Sequence, residues 1–188
     1  MIDTLWNWLM WGWTGMEILV AILTRTGKGG GKVQDRGSML LLWIVIVFSI
    51  TASEFSRALV PSATLHHADW LRPVSLAVLI LGLAIRLTAI FTLGKSFSAN
   101  VAIRAEQTVQ RTGLYRIVRH PSYLGLLLIF LAVGLHARNW LGLADVVVPT
   151  TLVLLYRIRI EEAALHDHFG EDYAAYSRTT KRLIPGVY

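Results

Sequence analysis

The stretch VSLAVLILGLAIRLTAIFTL, residues Val74–Leu93, decides the fold. Its 20 residues carry a single charge, Arg86. A helix rises about 1.5 Å per residue, so ~20 apolar residues cover the ~30 Å hydrocarbon core of a bilayer. In lipid every backbone N–H and C=O must be bonded internally, and a helix does this alone. Two segments upstream have the same length and character, about Leu5–Leu23 and Met39–Val60. A fourth run downstream, Tyr123–Leu135, is too short to cross unless flanking residues join it. A fifth runs from Trp140 to Tyr156, and the short turn His136–Asn139 before it predicts a tight helical hairpin. The expectation is an all-α integral membrane protein of about five transmembrane helices, the last two forming that hairpin. Three spans plus a re-entrant pair is the rival reading.

Composition agrees. Hydrophobic residues make up 54% of the 188 and charged residues 16%, against roughly 25% charged in a soluble domain. Mean hydropathy is +0.53. These values exclude disorder, collagen and coiled coil. The absence of cysteine excludes a disulfide framework, a thiolate nucleophile and a Cys-based metal site. No H-E-x-x-H occurs, so no metal site is expected. The first Lys or Arg is Arg25, so no basic region precedes the first apolar run. That run is expected to stay as an anchor rather than be cleaved. Trp6, Trp8, Trp11 and Trp13 crowd its start and read as an interfacial aromatic belt.

Basic residues set the orientation. Arg25, Lys28, Lys32 and Arg36 follow the first span. Lys95, Arg104, Arg111, Arg116 and Arg119 follow the third, and Arg157, Arg159, Arg178, Lys181 and Arg182 follow the fifth. With five spans these 14 of the 18 share one face. Arg57, Arg72 and Arg138 lie on the other. The N-terminus is therefore expected outside and the C-terminus in the cytoplasm. The net charge of +6 reads as topology and contact with the headgroups of membrane lipids, not as nucleic-acid binding, since no reader motif accompanies it. Arg86 lies within a span but about two turns from the cytoplasmic end, close enough to snorkel. Glu54 and Arg57, three apart, are expected to pair on one helix face.

Two phosphate-loop mimics fail. Gly27–Lys32 is followed by Val33, and Gly94-Lys95-Ser96 would need a glycine where Ala89 stands. Polar groups suited to chemistry gather instead in two stretches on the basic face. In GLYRIVRHPSYLG, Gly113–Gly125, Pro121 suits the first turn of the fourth helix. That puts His120 at the helix mouth, beside N–H groups and the positive dipole end. In Arg157–Glu162, Arg157 and Glu161 share a helix face, as do Arg159 and Glu162. The hairpin brings both stretches to one end.

The series Arg119-His-Pro-Ser-Tyr123, Glu161-Glu162, Phe169-Gly-Glu-Asp-Tyr173-Ala-Ala-Tyr176 and Arg182-Leu-Ile-Pro-Gly186 resembles the isoprenylcysteine carboxyl methyltransferase family, related to integral-membrane phospholipid methyltransferases. The resemblance covers residues 94–188, so the chain divides into three N-terminal transmembrane helices, 1–93, and a catalytic region, 94–188. It implies methyl transfer from S-adenosylmethionine to a lipophilic acceptor entering from the bilayer, with a cytoplasmic C-terminal cofactor site. His120, Pro121 and Tyr123 would line the cofactor, with Gly113, Leu114 and Tyr115 just upstream and Glu162 as a carboxylate for one of its polar groups. Gln107 stands near a point where the family often has His. A carboxylate acceptor needs no general base, and Arg157 could hold it by a bidentate contact, oriented by Glu161. The alternatives are a phospholipid N-methyltransferase, a thiol or small-lipid methyltransferase, and a membrane scaffold that kept the fold.

Overall fold

The structure, a computed structural model, describes residues 1–24, 32–33, 37–103 and 107–188. Arg25, Lys28, Arg36, Arg104 and most of the glycine-rich phosphate-loop mimic lie outside the described residues. Among the described residues six α-helices follow in order: α1 (Ile2–Leu23), α2 (Ser38–Leu59), α3 (Leu71–Leu93), α4 (Pro121–His136), α5 (Trp140–Phe169) and α6 (Glu171–Thr179). Beside them, two-residue strands β1 (Lys32–Val33) and β2 (Ala102–Ile103) pair antiparallel, tying the segment after α1 to the segment after α3.

Among the described residues, three helices are long and apolar enough to cross a membrane: Ser38–Leu59, Leu71–Ser96 with its appended turn, and Trp140–Phe169. Pro121–His136 is apolar but short. Helix α1 has 22 residues, with tryptophans where the others have aliphatics. Only half of those tryptophans match the expected belt. Trp8 and Trp11 face outward, whereas Trp6 and Trp13, one heptad apart on one face, are buried. Trp6 stacks on the His136 ring at 3.9 Å, and Trp13 meets Phe130 edge-on at 5.8 Å.

The hairpin forms where its turn predicts. Pro121 opens α4, and the Asn139 side chain caps α5 by accepting from the Gly142 N–H at 2.9 Å. The apolar run ending at Tyr156 does not end the helix, which continues to Phe169 and carries Arg157–Glu162 on the same rod. Gly170, at φ 53°, then turns the chain into α6.

The core sits between α3 and α4, where Leu79, Ile129 and Phe130 are fully buried, and continues along α5 through Val146 and Leu154. Helices α3 and α4 cross at two glycines. Nothing but hydrogen on Gly82 and Gly125 lets the backbones approach this closely, the packing device of membrane helices. A Cβ on Gly125 would stand 2.7 Å from the Arg86 backbone nitrogen and 2.8 Å from the Gly82 carbonyl oxygen.

That crossing makes a prediction. Gly125→Ala forces two backbones apart, which no side-chain rotation relieves, at a cost of about 1–3 kcal/mol. A melting curve in detergent should fall by several degrees. Gly15→Ala on α1, where an added Cβ meets nothing within 4 Å, should leave the midpoint level or raise it slightly. Equal behaviour of the two variants would refute the close crossing.

Candidate functional site

A cavity of about 320 Å³ lies between α1, α2, α3, α4 and α5, with residues 96–103 and 107–110 and helix α6 also lining it. Its polar part is lined by Gln107, Tyr115, Arg119, His120, Tyr123, Arg157, Glu161, Tyr173 and Tyr176. Its apolar part runs between α1 and α2 along Trp13, Leu42, Trp43, Ile46, Val47 and Ile50. The cavity thus draws on both sides of the division at residue 93. Of the residues expected to hold a cofactor, Tyr115, His120 and Tyr123 line it; Gly113, Leu114, Pro121 and Glu162 do not. Arg157 and Glu161 both line it, as does Gln107.

His120 is buried between two carboxylates. Its Nε2 stands 3.4 Å from Glu162 Oε1 and its Nδ1 3.7 Å from Glu161 Oε2. Glu162 is a hub. It accepts from Arg119 Nε at 2.8 Å and from Arg182 Nε at 2.8 Å, besides facing His120. Arg119 also donates to the carbonyls of Ser177 and Thr180. The Arg119 N–H donates to the Lys181 carbonyl at 2.8 Å and the His120 N–H to that of Arg182 at 2.9 Å. In the first turn of α4 the Tyr123 and Leu124 N–H groups donate to the His120 carbonyl, each at 3.1 Å. Glu162, which shares a helix face with Arg159, is held by Arg119 and Arg182 from outside its own helix.

Arg157 and Glu161 share a face but not an ion pair. Arg157 reaches across to α2, donating from Nη1 to Ser38 Oγ at 2.8 Å and from Nη2 to the Ala99 carbonyl at 2.7 Å. Tyr123 lines the cavity beside both of them. Burial pushes the Tyr115 and Tyr173 phenols well above their ordinary range, and Tyr176 up to about 12. All three stay neutral near pH 7. Tyr176 donates to the Tyr115 carbonyl at 2.6 Å. The Tyr173 hydroxyl is buried and has no hydrogen-bond partner among the described residues. A buried orphan hydroxyl costs about 1–3 kcal/mol, which a ligand's polar group in this cavity would offset.

One feature of the cavity escaped the sequence reading. Arg86 does not snorkel. Its Nε and Nη2 donate to the two oxygens of Glu17 at 2.9 and 2.8 Å, and Nη1 to Ser122 Oγ. Trp13 Nε1 donates to the same carboxylate at 3.2 Å. The pair is buried, with 7% and 11% of the side-chain surfaces exposed. It ties α1 to α3 and to the first turn of α4, one turn from His120. The signal that could have found it is opposite charge in two separate spans, since an unpaired ion there is costly. By contrast Glu54 and Arg57 pair as their spacing predicts.

Comparison with known proteins places these motifs. The model of the isoprenylcysteine carboxyl methyltransferase family matches residues 75–167. Protein-S-isoprenylcysteine O-methyltransferase B of Arabidopsis thaliana is 29% identical over 168 residues, covering 88% of this chain and 85% of its own. The protein-S-isoprenylcysteine O-methyltransferase of Tribolium castaneum is 31% identical over 125 residues, 65% of this chain and 44% of its own. Among solved structures, the eukaryotic intramembrane Ras methyltransferase ICMT superposes with a TM-score of 0.65 at 29% identity. The match covers 77% of this chain and 52% of that one, so this chain spans about half the length of the solved relative. Fold, motif order and relatives agree: the chain belongs to the isoprenylcysteine carboxyl methyltransferase family.

Proposed function

We propose that the chain is an integral membrane methyltransferase that methylates the carboxylate of an isoprenylcysteine-type acceptor, with S-adenosylmethionine as donor. One observation carries the reading: a single cavity joins a polar, tyrosine-rich chamber to an apolar throat between α1 and α2. A charged donor and a lipid acceptor need those two environments side by side. The residues present fit the donor. Electron-rich tyrosine faces suit a sulfonium, the orphan Tyr173 hydroxyl offers a hydrogen bond, and Glu161, 31% exposed, presents a carboxylate to an ammonium or hydroxyl group.

S-adenosylmethionine, when bound, supplies a sulfonium methyl that passes to a carboxylate oxygen by in-line displacement, leaving a neutral thioether. The acceptor carboxylate is already a nucleophile, so the chain need only align it and exclude water. Arg157 does the aligning. Ser38 and the Ala99 carbonyl fix the plane of its guanidinium. His120 and Tyr115 form the donor wall with Tyr123. Glu162 acts from behind that wall, holding Arg119, His120 and the C-terminal segment in register. The lipid tail stays in the α1–α2 throat, because it gains nothing by crossing water. In this reading the N-terminus lies outside and the chamber opens to the cytoplasm.

Arg157→Lys keeps the charge and loses the planar fork. The kcat for a prenylcysteine acceptor should fall at least tenfold, with donor affinity nearly unchanged, and Glu161→Gln should follow it. Turnover within a few-fold of wild type at saturation would move the aligning role elsewhere.

His120→Ala and Glu162→Gln should separate binding from scaffolding. Losing one charge-assisted contact costs ~1.5–3 kcal/mol, about 10- to 150-fold in affinity. Calorimetry with S-adenosylmethionine should show that loss for His120→Ala with the melting point little changed. Glu162→Gln breaks a buried ion cluster and should lower the melting point first, by about 3–5 kcal/mol of stability. A stable Glu162→Gln protein with a purely local affinity loss would make Glu162 a direct ligand instead.

Reporter fusions at residues 30, 66, 108 and 188 test the topology. Residues 30, 108 and 188 should report cytoplasm and residue 66 the outside. Fusions at 30 and 188 on opposite sides would overturn the five-span arrangement.

A further inference from the structure

The apolar throat has a definite length. Arg157, which aligns the acceptor carboxylate in the reading above, donates to Ser38 Oγ at the start of α2 at 2.8 Å. From that level Met39, Leu42, Trp43, Ile46, Val47 and Ile50 line the throat along a single face of α2. The 12 steps from Ser38 to Ile50 rise about 18 Å. Val47, 62% exposed, leaves the side of the throat open to lipid, which gives a tail its way in. The far end is closed.

Trp13 closes it. On α1 Trp13 is the innermost residue that lines the chamber, and Met10, one turn further, lines a separate polar pocket with Asp3 and Asn7. On α2 the change falls at Ile50, with Ser53 and Glu54 next in the polar pocket. There the ion pairs Arg57–Glu54 and Arg72–Asp3 stand, and an apolar tail gains nothing among them. The Trp13 ring, 8% exposed, is held from two sides. Its Nε1 donates to Glu17 at 3.2 Å, and Arg86 holds both oxygens of that carboxylate at 2.9 and 2.8 Å. The fully buried Phe130 meets the ring edge-on. An ion pair at this depth is costly, and what it secures is the position of this ring.

An extended chain advances about 1.2 Å per bond, so the roughly 15 bonds from a cysteine carboxyl carbon to the tip of a farnesyl tail cover ~18 Å, and the roughly 19 of a geranylgeranyl tail ~23 Å. We propose, resting on the isoprenylcysteine reading of this cavity, that Trp13 is the floor of the acceptor site and limits the tail to three isoprene units.

Steady-state methylation by the detergent-purified full chain tests this, at saturating S-adenosylmethionine, with N-acetyl-S-farnesylcysteine and N-acetyl-S-geranylgeranylcysteine as acceptors. The wild-type kcat/KM should be at least tenfold higher for the farnesyl acceptor. Trp13→Ala should shrink that ratio tenfold or more by raising turnover of the longer acceptor, with donor affinity unchanged. Trp13→Leu, which keeps an apolar side chain against Phe130, should shrink it at least threefold. Trp8→Ala, on the outward face of the same helix, should leave it level. A folding defect lowers both acceptors together and does not move the ratio. Equal use of the two acceptors by the wild type, or an unchanged ratio in whichever Trp13 variant folds, would overturn the proposal and leave the methyltransferase reading standing. No turnover of either acceptor by the wild type would overturn both. Should neither Trp13 variant fold, the wild-type ratio decides alone.

Discussion

The carboxylate of Glu162 holds one end of this molecule together. Two arginines and a histidine from two separate segments converge on its two oxygens. Arg119 and His120 come from the approach to α4, Arg182 from the segment that closes the chain, and Glu162 itself from the rod that also spans the membrane. Remove that charge and Arg119 becomes a buried cation without a counterion, while Arg182 loses its own. The chamber wall is built from the same residues, so its shape follows from the requirement that ions near lipid be neutralised in pairs.

The same requirement governs the first helix. Glu17 and Arg86 would each be expensive in an apolar medium, and together they form a bidentate contact that fixes α1 at one height and one rotation. Because α1 makes few other backbone-level contacts, this pair and two inward tryptophans define one wall of the lipid-facing throat. Charge here sets geometry rather than doing chemistry.

What could be read from the sequence was local. The span lengths, the hairpin turn, Pro121 at the start of α4 and the Glu54–Arg57 pair all depend on residues within a few positions of one another. The motif order carried the family and, with it, the neighbourhood of His120, Tyr123, Arg157 and Glu161. What stayed hidden was long-range. Glu162 finds partners 43, 42 and 20 positions away, and helix-face spacing points instead to Arg159. Arg157 reaches Ser38, 119 positions earlier, a contact that depends on which face of α2 meets α5. Arg86 and Glu17 lie 69 apart, and only the α1–α3 packing brings them together.

Helix α4 adds a property of the surrounding lipid. Its 16 residues reach about 24 Å, short of the ~30 Å typical of a hydrocarbon core, while the α5 rod beside it is nearly twice as long. Such a mismatch is relieved by thinning the bilayer locally, and relief is cheapest where the membrane is thin to begin with. His120 sits at the foot of that short wall, sunk below the level that a full-length helix would reach. The span that α4 leaves uncovered thus falls to lipid or to flanking residues, beside the residues that line the chamber.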